Sequence, residues 1–283
     1  MTSQPPSPPS QPAEQVPTCY RHPGRETWVR CQRCDRPICP DCMRDAAVGF
    51  QCPECVAEGN KTVRHAQSVF GGAVVSTPYV TWAVLGINLL AFALQWLTGQ
   101  QITTDFGMWV AGVAINDQYY RMITAAFLHG SVFHILFNSY ALYLVGPQLE
   151  RAFGHVKFTA LYLLSALGGS VLGYWFDDPR TLTVGASGAI FGLFAAIFVV
   201  GRRLRFDVRG VAVLIVINLV ITFVFPGISW TGHIGGLITG AVLAAAMAYA
   251  PRSHRVLFQT LALLGVFLAL VALVVIRTGV LLS

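Results

Sequence analysis

Charged side chains are scarce in this chain of 283 residues, of which 11% are Asp, Glu, Lys or Arg and 54% are apolar. Soluble domains carry about 25% charged residues, and the mean hydropathy here is +0.59. This shortage of charge excludes an ordinary soluble domain and predicts an all-α polytopic membrane protein in contact with the lipid bilayer. We attribute the net charge of +6 to inner loops that face anionic lipid, and we expect no nucleic-acid partner.

Two further absences concern the amino-terminal region. Residues 1–17 have neither the basic nor the apolar segment of a signal peptide and are rich in Pro, Ser and Gln, so we expect a disordered tail there. Cysteine is absent after Cys55, and all seven cysteines lie between Cys19 and Cys55. An odd number in so short a stretch argues against a closed disulfide framework and favours a metal site in a reducing compartment.

The cysteines and one histidine form four pairs, each separated by two residues. The pairs are Cys19 and His22, Cys31 and Cys34, Cys39 and Cys42, and Cys52 and Cys55. Eight such ligands complete two tetrahedral sites with no position open for water, which is typical of structural zinc. Because a segment this short has little core, zinc binding worth about 10 to 16 kcal/mol would be what folds it. We therefore predict a zinc-binding domain over residues 18–56 with two structural zinc ions.

The pairs resemble those of B-box and RING zinc fingers. That resemblance implies interleaving, with the first and third pairs on one ion and the second and fourth pairs on the other. Spacing alone leaves a sequential pairing open, and the final pair Cys52/Cys55 departs from the histidine-rich ending common in B-boxes. A protein partner, a lipid surface and a purely structural role all stay open for this finger.

Seven apolar stretches follow a linker at residues 57–78. They lie near residues 79–97, 131–149, 156–175, 184–200, 210–225, 231–249 and 256–276. Several are shorter than the roughly 20 residues of a full crossing, as expected of helices that are buried in a bundle or begin below its surface. We predict a core of six transmembrane helices over residues 79–250, and a seventh helix and tail over residues 251–283.

Basic residues are unevenly distributed between the alternate loops. If the amino terminus is inside, the inner loops carry eight of them: Arg151, Lys157, Arg202, Arg203, Arg205, Arg209, Arg252 and Arg255. The outer loops and tail carry Arg121, Arg180 and Arg277. The positive-inside rule therefore predicts a multi-pass plasma-membrane protein with a cytoplasmic amino terminus and an outer carboxyl terminus.

Ser187 and His233 stand close to the outer ends of the fourth and sixth stretches in this topology. Polar and titratable side chains inside a bilayer are rare because each one costs several kcal/mol unless it faces protein or water. Both residues are flanked by glycines, as in Gly185-Ala186-Ser187-Gly188, and small residues let membrane helices approach closely. We expect the two side chains to lie level, Ser187 about one turn below the helix end, in a site open to the outer face.

His134 and Asn138 are spaced i and i+4 near the outer end of the second stretch, so they share one helix face. Asn and His side chains can donate hydrogen bonds to the oxygen that becomes negative during acyl transfer. For His129, just before this helix, we expect a ring that hydrogen-bonds the outer loop at residues 98–130 and orders it.

Three motifs together resemble the rhomboid family of intramembrane serine proteases over about residues 75–250: His129-x4-His134-x3-Asn138, Gly185-x-Ser187-Gly188 and His233-x2-Gly236-x3-Gly240. The resemblance implies a rhomboid-like six-helix bundle in which Ser187 is the nucleophile and His233 the general base, with no cofactor in the active site. His134, Asn138 and the Ser187 amide would form the oxyanion hole. The implied substrates are transmembrane proteins, cut near the outer membrane face through an acyl-enzyme and admitted beside the fifth helix.

The same resemblance extends to four further positions. Arg121 would brace the outer loop, although it follows Tyr120 where many bacterial relatives have Trp. Phe191 stands where a tyrosine is often found, which leaves stacking on the histidine but no phenol hydrogen bond. Glu150-Arg151 fits as a structural pair at the inner end of the second helix.

Two rival functions stay open at this point. One is a catalytically inactive rhomboid-like protein that binds membrane clients, against which the complete set of Ser187, His233, His134 and Asn138 argues. The other is a transporter that uses Asn88 or Asn218. A transporter calls for midplane polar groups and an internal repeat, whereas the polar cluster here lies near one face and no repeat is evident.

Overall fold

The computed structural model of the chain describes residues 15–63 and 66–283, which form two compact units divided after residue 65. Residues 1–14 of the expected disordered tail lie outside the described residues. The mostly helical architecture predicted from composition is confirmed, with a small cysteine-rich unit followed by a helical membrane unit.

The first unit combines two short antiparallel hairpins with one helix. Its elements are β1 (Thr18–Cys19), β2 (His22–Glu26), β3 (Arg44–Asp45), β4 (Phe50–Gln51) and α1 (Pro53–Thr62). Cysteine side chains and Ile38 make up its buried centre, a core far too small in apolar area to fold alone. Helix α1 begins at Pro53 after the capping residue Cys52 and runs to Thr62, six residues beyond the predicted end of the domain at 56.

The predicted linker at residues 57–78 is thus divided between the two units. Its second part packs on the membrane unit, where Phe70 and Val75 are buried. The Phe70 ring lies 5.2 Å from that of Phe153, and its N–H donates to the Ala152 carbonyl at 3.2 Å. Burial of these apolar side chains is why residues 66–78 do not form a free connection.

The second unit contains ten helices and one short β-pair. The helices are α2 (Tyr79–Leu97), α3 (Gln101–Phe106), α4 (Val110–Asn116), α5 (Arg121–Thr124), α6 (Val132–Phe153), α7 (His155–Phe176), α8 (Ser187–Leu204), α9 (Arg209–Val224), α10 (Trp230–Ala248) and α11 (Arg255–Leu282). Each predicted apolar stretch corresponds to one of the long helices. The largest difference is at α11, which continues through Gly279 to Leu282, six residues past the predicted end at 276.

Five of these helices are long and apolar enough to cross a membrane, and the bent pair formed by α5 and α6 would make six. Helix α9 is apolar but only 16 residues long. In α7, α8 and α10, between 50% and 61% of the apolar spanning segment is buried inside the protein. The corresponding share is 22% for α2 and 17% for the last helix. The chain is therefore a multi-pass membrane protein with α7, α8 and α10 at its centre.

Glycines bring the backbones of these three central helices into contact. A Cβ placed on Gly236 would lie 1.9 Å from the Gly188 carbonyl oxygen, and one on Gly240 would lie 2.3 Å from Gly192 Cα. Helix α7 joins through Gly168, whose carbonyl oxygen would be 2.3 Å from a Cβ on residue 235. No side chain fits between such helices, so α8 and α10 are held at a fixed separation.

The loop at residues 98–130, predicted to be the outer loop, folds into α3, α4 and α5 around the buried Arg121. The Arg121 guanidinium donates to the carbonyls of Thr104 at 2.7 Å and Gly107 at 2.9 Å, and to Gln118 Oε1 at 2.6 Å. This is the bracing expected of Arg121. Strand β5 (Met108–Trp109) also pairs with β6 (Leu182–Thr183), which ties the loop to the segment that leads into α8.

Glu150 closes the opposite end of the bundle. Its buried carboxylate accepts the N–H groups of Val80 at 2.9 Å and Thr81 at 2.8 Å, and its Oε1 lies 2.6 Å from His155 Nδ1. A carboxylate satisfies the free N–H groups and the positive dipole at the start of α2. Glu150 therefore has a structural role remote from Ser187, through α2 and His155, while its neighbour Arg151 is exposed.

We predict that Glu150→Ala destabilises the folded membrane unit. The substitution leaves several buried donors unsatisfied at about 1–3 kcal/mol each, and a domain of this size loses about 2–4 °C of Tm per kcal/mol. Thermal unfolding in detergent should therefore show a Tm lowered by about 5 °C or more. The exposed neighbour provides the control, since Arg151→Ala should melt with the wild type; equal melting of both variants would contradict the capping role.

Candidate active site

Ser187 is the first residue of α8, which places it at the end of the helix and not one turn inside as expected. The helix starts late because Gly185 adopts φ +141° and donates its N–H to the Ala125 carbonyl at 2.9 Å. A glycine in that conformation cannot belong to a right-handed helix. The Ser187 amide consequently belongs to the first turn of α8, where N–H groups have no partner within the helix.

His233 is the fourth residue of α10, and its buried ring stacks on Phe191 with 4.1 Å between centroids and an interplanar angle of 15°. Phe191 follows Ser187 by one helical turn, so serine and histidine share the face where α8 meets α10. Phe191 lacks the hydroxyl of the tyrosine often found at this position, so stacking on the histidine was its expected role, and the structure shows that contact. Within residues 15–63 and 66–283, Ser187 Oγ forms no hydrogen bond shorter than 3.5 Å to His233. Catalytic hydrogen bonds are often long in free enzymes and shorten with substrate.

His134 lies directly across from the segment that precedes Ser187. Its Nδ1 accepts the Gly130 N–H at 3.4 Å, which makes Nε2 the protonated nitrogen of a neutral ring. A Cβ built on Gly185 would lie 2.8 Å from that Nε2 and 3.4 Å from Ser187 Oγ. The two groups therefore converge on one small space, which is open only because residue 185 has no side chain.

Asn138 follows His134 by one turn on α6, and its side chain is buried. Its Nδ2 has no hydrogen-bond partner in the part of the chain that the structure describes. A buried amide left unpaired is costly, and a donor in this state can bind an incoming oxygen. The geometry thus supplies candidate donors in the His134 Nε2–H, the Asn138 amide and the Ser187 N–H.

His129 holds the outer loop differently from what we expected. Its backbone N–H donates to Gln95 Oε1 at 3.0 Å, and its carbonyl accepts from Gln95 Nε2 at 3.2 Å. Both ring nitrogens are buried and lack a partner among the described residues. The ring packs edge-on against His134, 5.2 Å between centroids. The backbone of His129, and not its ring, orders this end of the loop.

Two polar residues near the site carried no signal in the sequence. Thr222 of α9 has its Oγ1 2.6 Å from His233 Nδ1. Asp177, which ends α7, accepts a hydrogen bond from Thr231 Oγ1 at 2.8 Å, two residues before His233. Burial raises the pKa of the Asp177 carboxyl. Neither residue lies in a recognisable motif, and only the packing of α7 and α9 against α10 shows their positions.

Comparison with known proteins places the chain in a family. The Rhomboid domain family model matches residues 116–250, a range that contains Ser187, His233, His134 and Asn138. The protein named "Putative rhomboid protease YdcA" of Bacillus subtilis is 34% identical over 139 residues, which cover 47% of this chain and 69% of that relative. The chain belongs to the rhomboid family.

Two other rhomboid proteases match a similar part of the chain. Rhomboid protease GluP of Bacillus subtilis is 33% identical over 179 residues, 60% of this chain and 35% of GluP. Rhomboid protease AarA of Providencia stuartii is 29% identical over 180 residues, 53% of this chain and 64% of AarA. The chain thus spans only about a third of the length of GluP.

The eight predicted metal ligands lie outside the rhomboid match and form two clusters in the first unit. One contains Cys19, His22, Cys39 and Cys42, and the other contains Cys31, Cys34, Cys52 and Cys55. The pairs are therefore interleaved, as the resemblance to B-box and RING fingers implied, and the sequential alternative does not agree with the structure.

The ligand atoms within each cluster fit one tetrahedral ion. All lie within 4.8 Å of one another; His22 Nδ1 is 3.2–3.7 Å from the three sulfurs of its cluster, and Cys34 Sγ is 3.8 Å from Cys52 Sγ. A tetrahedron with zinc–sulfur bonds of about 2.3 Å has edges of about 3.8 Å. Arg36 lies beside the all-cysteine cluster and donates to Cys34 Sγ at 3.2 Å. Its positive charge offsets the excess negative charge of four thiolates around one divalent ion.

Paired substitutions should distinguish interleaved from sequential metal binding. We predict two zinc ions per chain by elemental analysis. Cys19→Ser with Cys39→Ser damages one cluster and should leave one ion, because the other cluster keeps its four ligands. Cys39→Ser with Cys52→Ser damages both and should leave none. Sequential pairing predicts the reverse order, so each double variant is the control for the other.

Proposed function

We propose that this rhomboid is an intramembrane serine endopeptidase that cleaves transmembrane segments of membrane proteins with a Ser187–His233 dyad. The convergence of Ser187, His233 and His134 at one end of the bundle carries the proposal. The glycine contacts between α8 and α10 support it, since they fix the distance between the helices that bear the two dyad residues. The catalytically inactive alternative would leave this set of groups without a use.

In the proposed reaction, His233 Nε2 accepts the proton of Ser187 Oγ while the oxygen attacks a substrate peptide carbonyl. The C–N bond of the tetrahedral intermediate then breaks, and the imidazolium returns its proton to the leaving amine. Water repeats the sequence on the acyl-enzyme: His233 takes a proton from it, hydroxide adds to the ester, and Ser187 leaves with that proton. No net proton stays on the enzyme.

The negative oxygen formed at each addition needs hydrogen-bond donors. The unpaired Asn138 amide, the His134 Nε2–H and the Ser187 N–H at the start of α8 are proposed to supply them. Removal of one donor of this kind typically costs about 100- to 1,000-fold in kcat. The dipole of α8, which is positive at its first residue, adds to their effect.

Substrate access is proposed beside α9, the fifth spanning element. The helix has 16 residues, and only the side chain of Thr222 among them is buried in the described structure. A substrate helix must unwind before its carbonyl can react, since that carbonyl is already hydrogen-bonded. Segments with weak helix propensity and small residues are the expected substrates.

We further propose that the site opens to the outer face of the plasma membrane and that the amino terminus is cytoplasmic. The end of the bundle opposite Ser187 bears Arg202 and Arg203 at the end of α8 and Arg252 and Arg255 at the start of α11. Such basic residues mark the cytoplasmic side. Residues 18–62 would bind two structural zinc ions, each with four protein ligands and no open position, so the ions have no assigned step in proteolysis. A protein that docks on this finger is the proposed partner.

A transporter is not favoured by the positions of its candidate residues. The Asn218 amide donates to the Leu214 carbonyl of its own helix at 2.8 Å, and Asn88 lies on a different helix, α2. The Asn218 amide is therefore already engaged within its own helix and is a poor candidate for binding a transported solute.

The protease assignment is tested with Ser187→Ala and His233→Ala reconstituted in liposomes. Both variants should fold but leave a transmembrane reporter uncut, while the wild type cleaves it and reacts with a fluorophosphonate at Ser187. Asn218→Ala is the matched control and should retain activity. A wild type that neither cleaves nor reacts would favour the inactive client-binding alternative, and cleavage by either dyad variant would refute the dyad.

Gly185→Ala should also abolish activity, although it alters neither proposed dyad residue. The added methyl would lie 2.7 Å from His134 Cε1 at a φ that alanine rarely adopts, so His134 or the start of α8 must move. We expect at least about a 100-fold loss of kcat, the effect of one lost oxyanion donor. Gly130→Ala provides the control, because its Cβ would meet nothing closer than 3.9 Å. Equal activity of the two variants would contradict this geometry.

A further inference from the structure

We infer that Thr222 is a positioning residue that fixes the ring orientation and tautomer of His233 and so links α9 to the dyad. The inference rests on the proposed function for its catalytic meaning. It rests on geometry for the contact itself: Thr222 Oγ1 lies 2.6 Å from His233 Nδ1, and both side chains are buried.

The direction of this hydrogen bond follows from the second contact of Thr222. Its Oγ1 also lies 2.7 Å from the Asn218 carbonyl oxygen, one turn earlier on α9. A hydroxyl has one proton and a carbonyl can only accept, so that proton belongs to the bond with Asn218. Thr222 Oγ1 must then accept from His233, which places the imidazole proton on Nδ1. The lone pair of the neutral ring is left on Nε2, the nitrogen that must take the proton of Ser187.

Stacking on Phe191 alone does not determine which ring nitrogen of His233 faces Thr222. The parallel contact at 4.1 Å fixes the plane of the His233 ring, but a rotation of 180° about the Cβ–Cγ bond exchanges Nδ1 with Cδ2 and Nε2 with Cε1 and preserves the contact. Only a hydrogen bond to one nitrogen distinguishes the two orientations. In serine proteases with a third catalytic group, a carboxylate has this role; here Asp177 bonds to Thr231 instead, and a threonine hydroxyl faces the ring.

The position of Thr222 on α9 links its hydrogen bond with His233 to the proposed route of substrate access. Thr222 is 3% exposed, and every other residue of α9 is more exposed in the described structure. A shift of α9 by about 1 Å would stretch the bond beyond hydrogen-bond range. The same helix proposed to border the substrate path therefore also determines whether His233 is held ready.

Thr222→Val removes the hydroxyl and preserves the shape. In proteoliposomes we expect kcat to fall about 10- to 100-fold with KM changed less than about threefold, the loss of a hydrogen bond that acts on the chemical step. Thr222→Ser should restore most of kcat. Thr159→Val is the matched control, because Thr159 is a membrane threonine that donates to its own helix at the His155 carbonyl, 2.9 Å, and it should behave as wild type.

A spectroscopic readout separates positioning from a merely structural role. In protein labelled with ¹⁵N-histidine, the His233 signal, assigned by its loss in His233→Gln, should show Nδ1 protonated and Nε2 free in the wild type and in Thr222→Ser. Thr222→Val should give a mixture of tautomers. If that variant does not fold, Thr222→Ala is measured in its place on the monodisperse fraction.

Unchanged kcat and an unchanged tautomer in the folded variants would overturn the inference. A wild type that is inert and unlabelled at Ser187, yet shows the Nδ1–H tautomer lost in Thr222→Val, would refute the proposed function and leave the positioning of His233 by Thr222 supported. A wild-type His233 protonated on Nε2 would refute the positioning role whatever the activity.

Discussion

Direct contact between helix backbones is the constraint on which the rest of this membrane unit depends. Lipid offers no hydrophobic driving force between helices, so their association relies on close packing. Gly188, Gly192, Gly236 and Gly240 allow α8 and α10 to touch along two turns, at separations that a single methyl would prevent. The starts of both helices are thereby fixed relative to each other, and Ser187 and His233 are carried on those starts. The glycines that flank Ser187 and His233 in the sequence therefore also set the geometry of the candidate site.

Helix α2, outside this centre, is oriented by polar contacts at both of its ends. Helix α2 places Thr81, Asn88 and Gln95 on one buried face at intervals of seven residues. The first bonds to Glu150 at one end of the bundle and the last to the His129 backbone at the other. Hydrogen bonds inside a bilayer contribute only about 1 kcal/mol each, but they are directional, so they set depth and rotation where side-chain packing is sparse. Backbone contacts therefore hold α8 and α10 together at the centre, and hydrogen bonds set the position of α2 beside them.

The seven long helices could be predicted from the sequence to within about six residues, because apolar runs in a membrane protein have few alternatives to helix; the short helices α3, α4 and α5 were not predicted. The set formed by Ser187, His233, His134 and Asn138 was also recognisable, since glycine spacing and polar residues in apolar runs are local features. The depth of Ser187 was not, because it depends on Gly185 bonding to the distant Ala125 carbonyl. The fold of the outer loop likewise depends on carbonyls that Arg121 gathers from separate segments. Thr222 gave no signal because it is an ordinary threonine until α9 meets α10.

An intramembrane protease of the proposed kind must hold its dyad rigidly and also admit a whole helix from the lipid. One helix cannot serve both needs if it is packed by its backbone on all sides. Here α8 and α10 have the rigid contact, while α9 meets them through few buried atoms, so it can move without disturbing the dyad backbone. The single buried side chain of α9 is nevertheless bonded to the histidine. In the proposed function, access and alignment are opposed: displacing α9 enough to admit substrate would weaken the hold on His233, so efficient cleavage would require α9 to return after the substrate has entered.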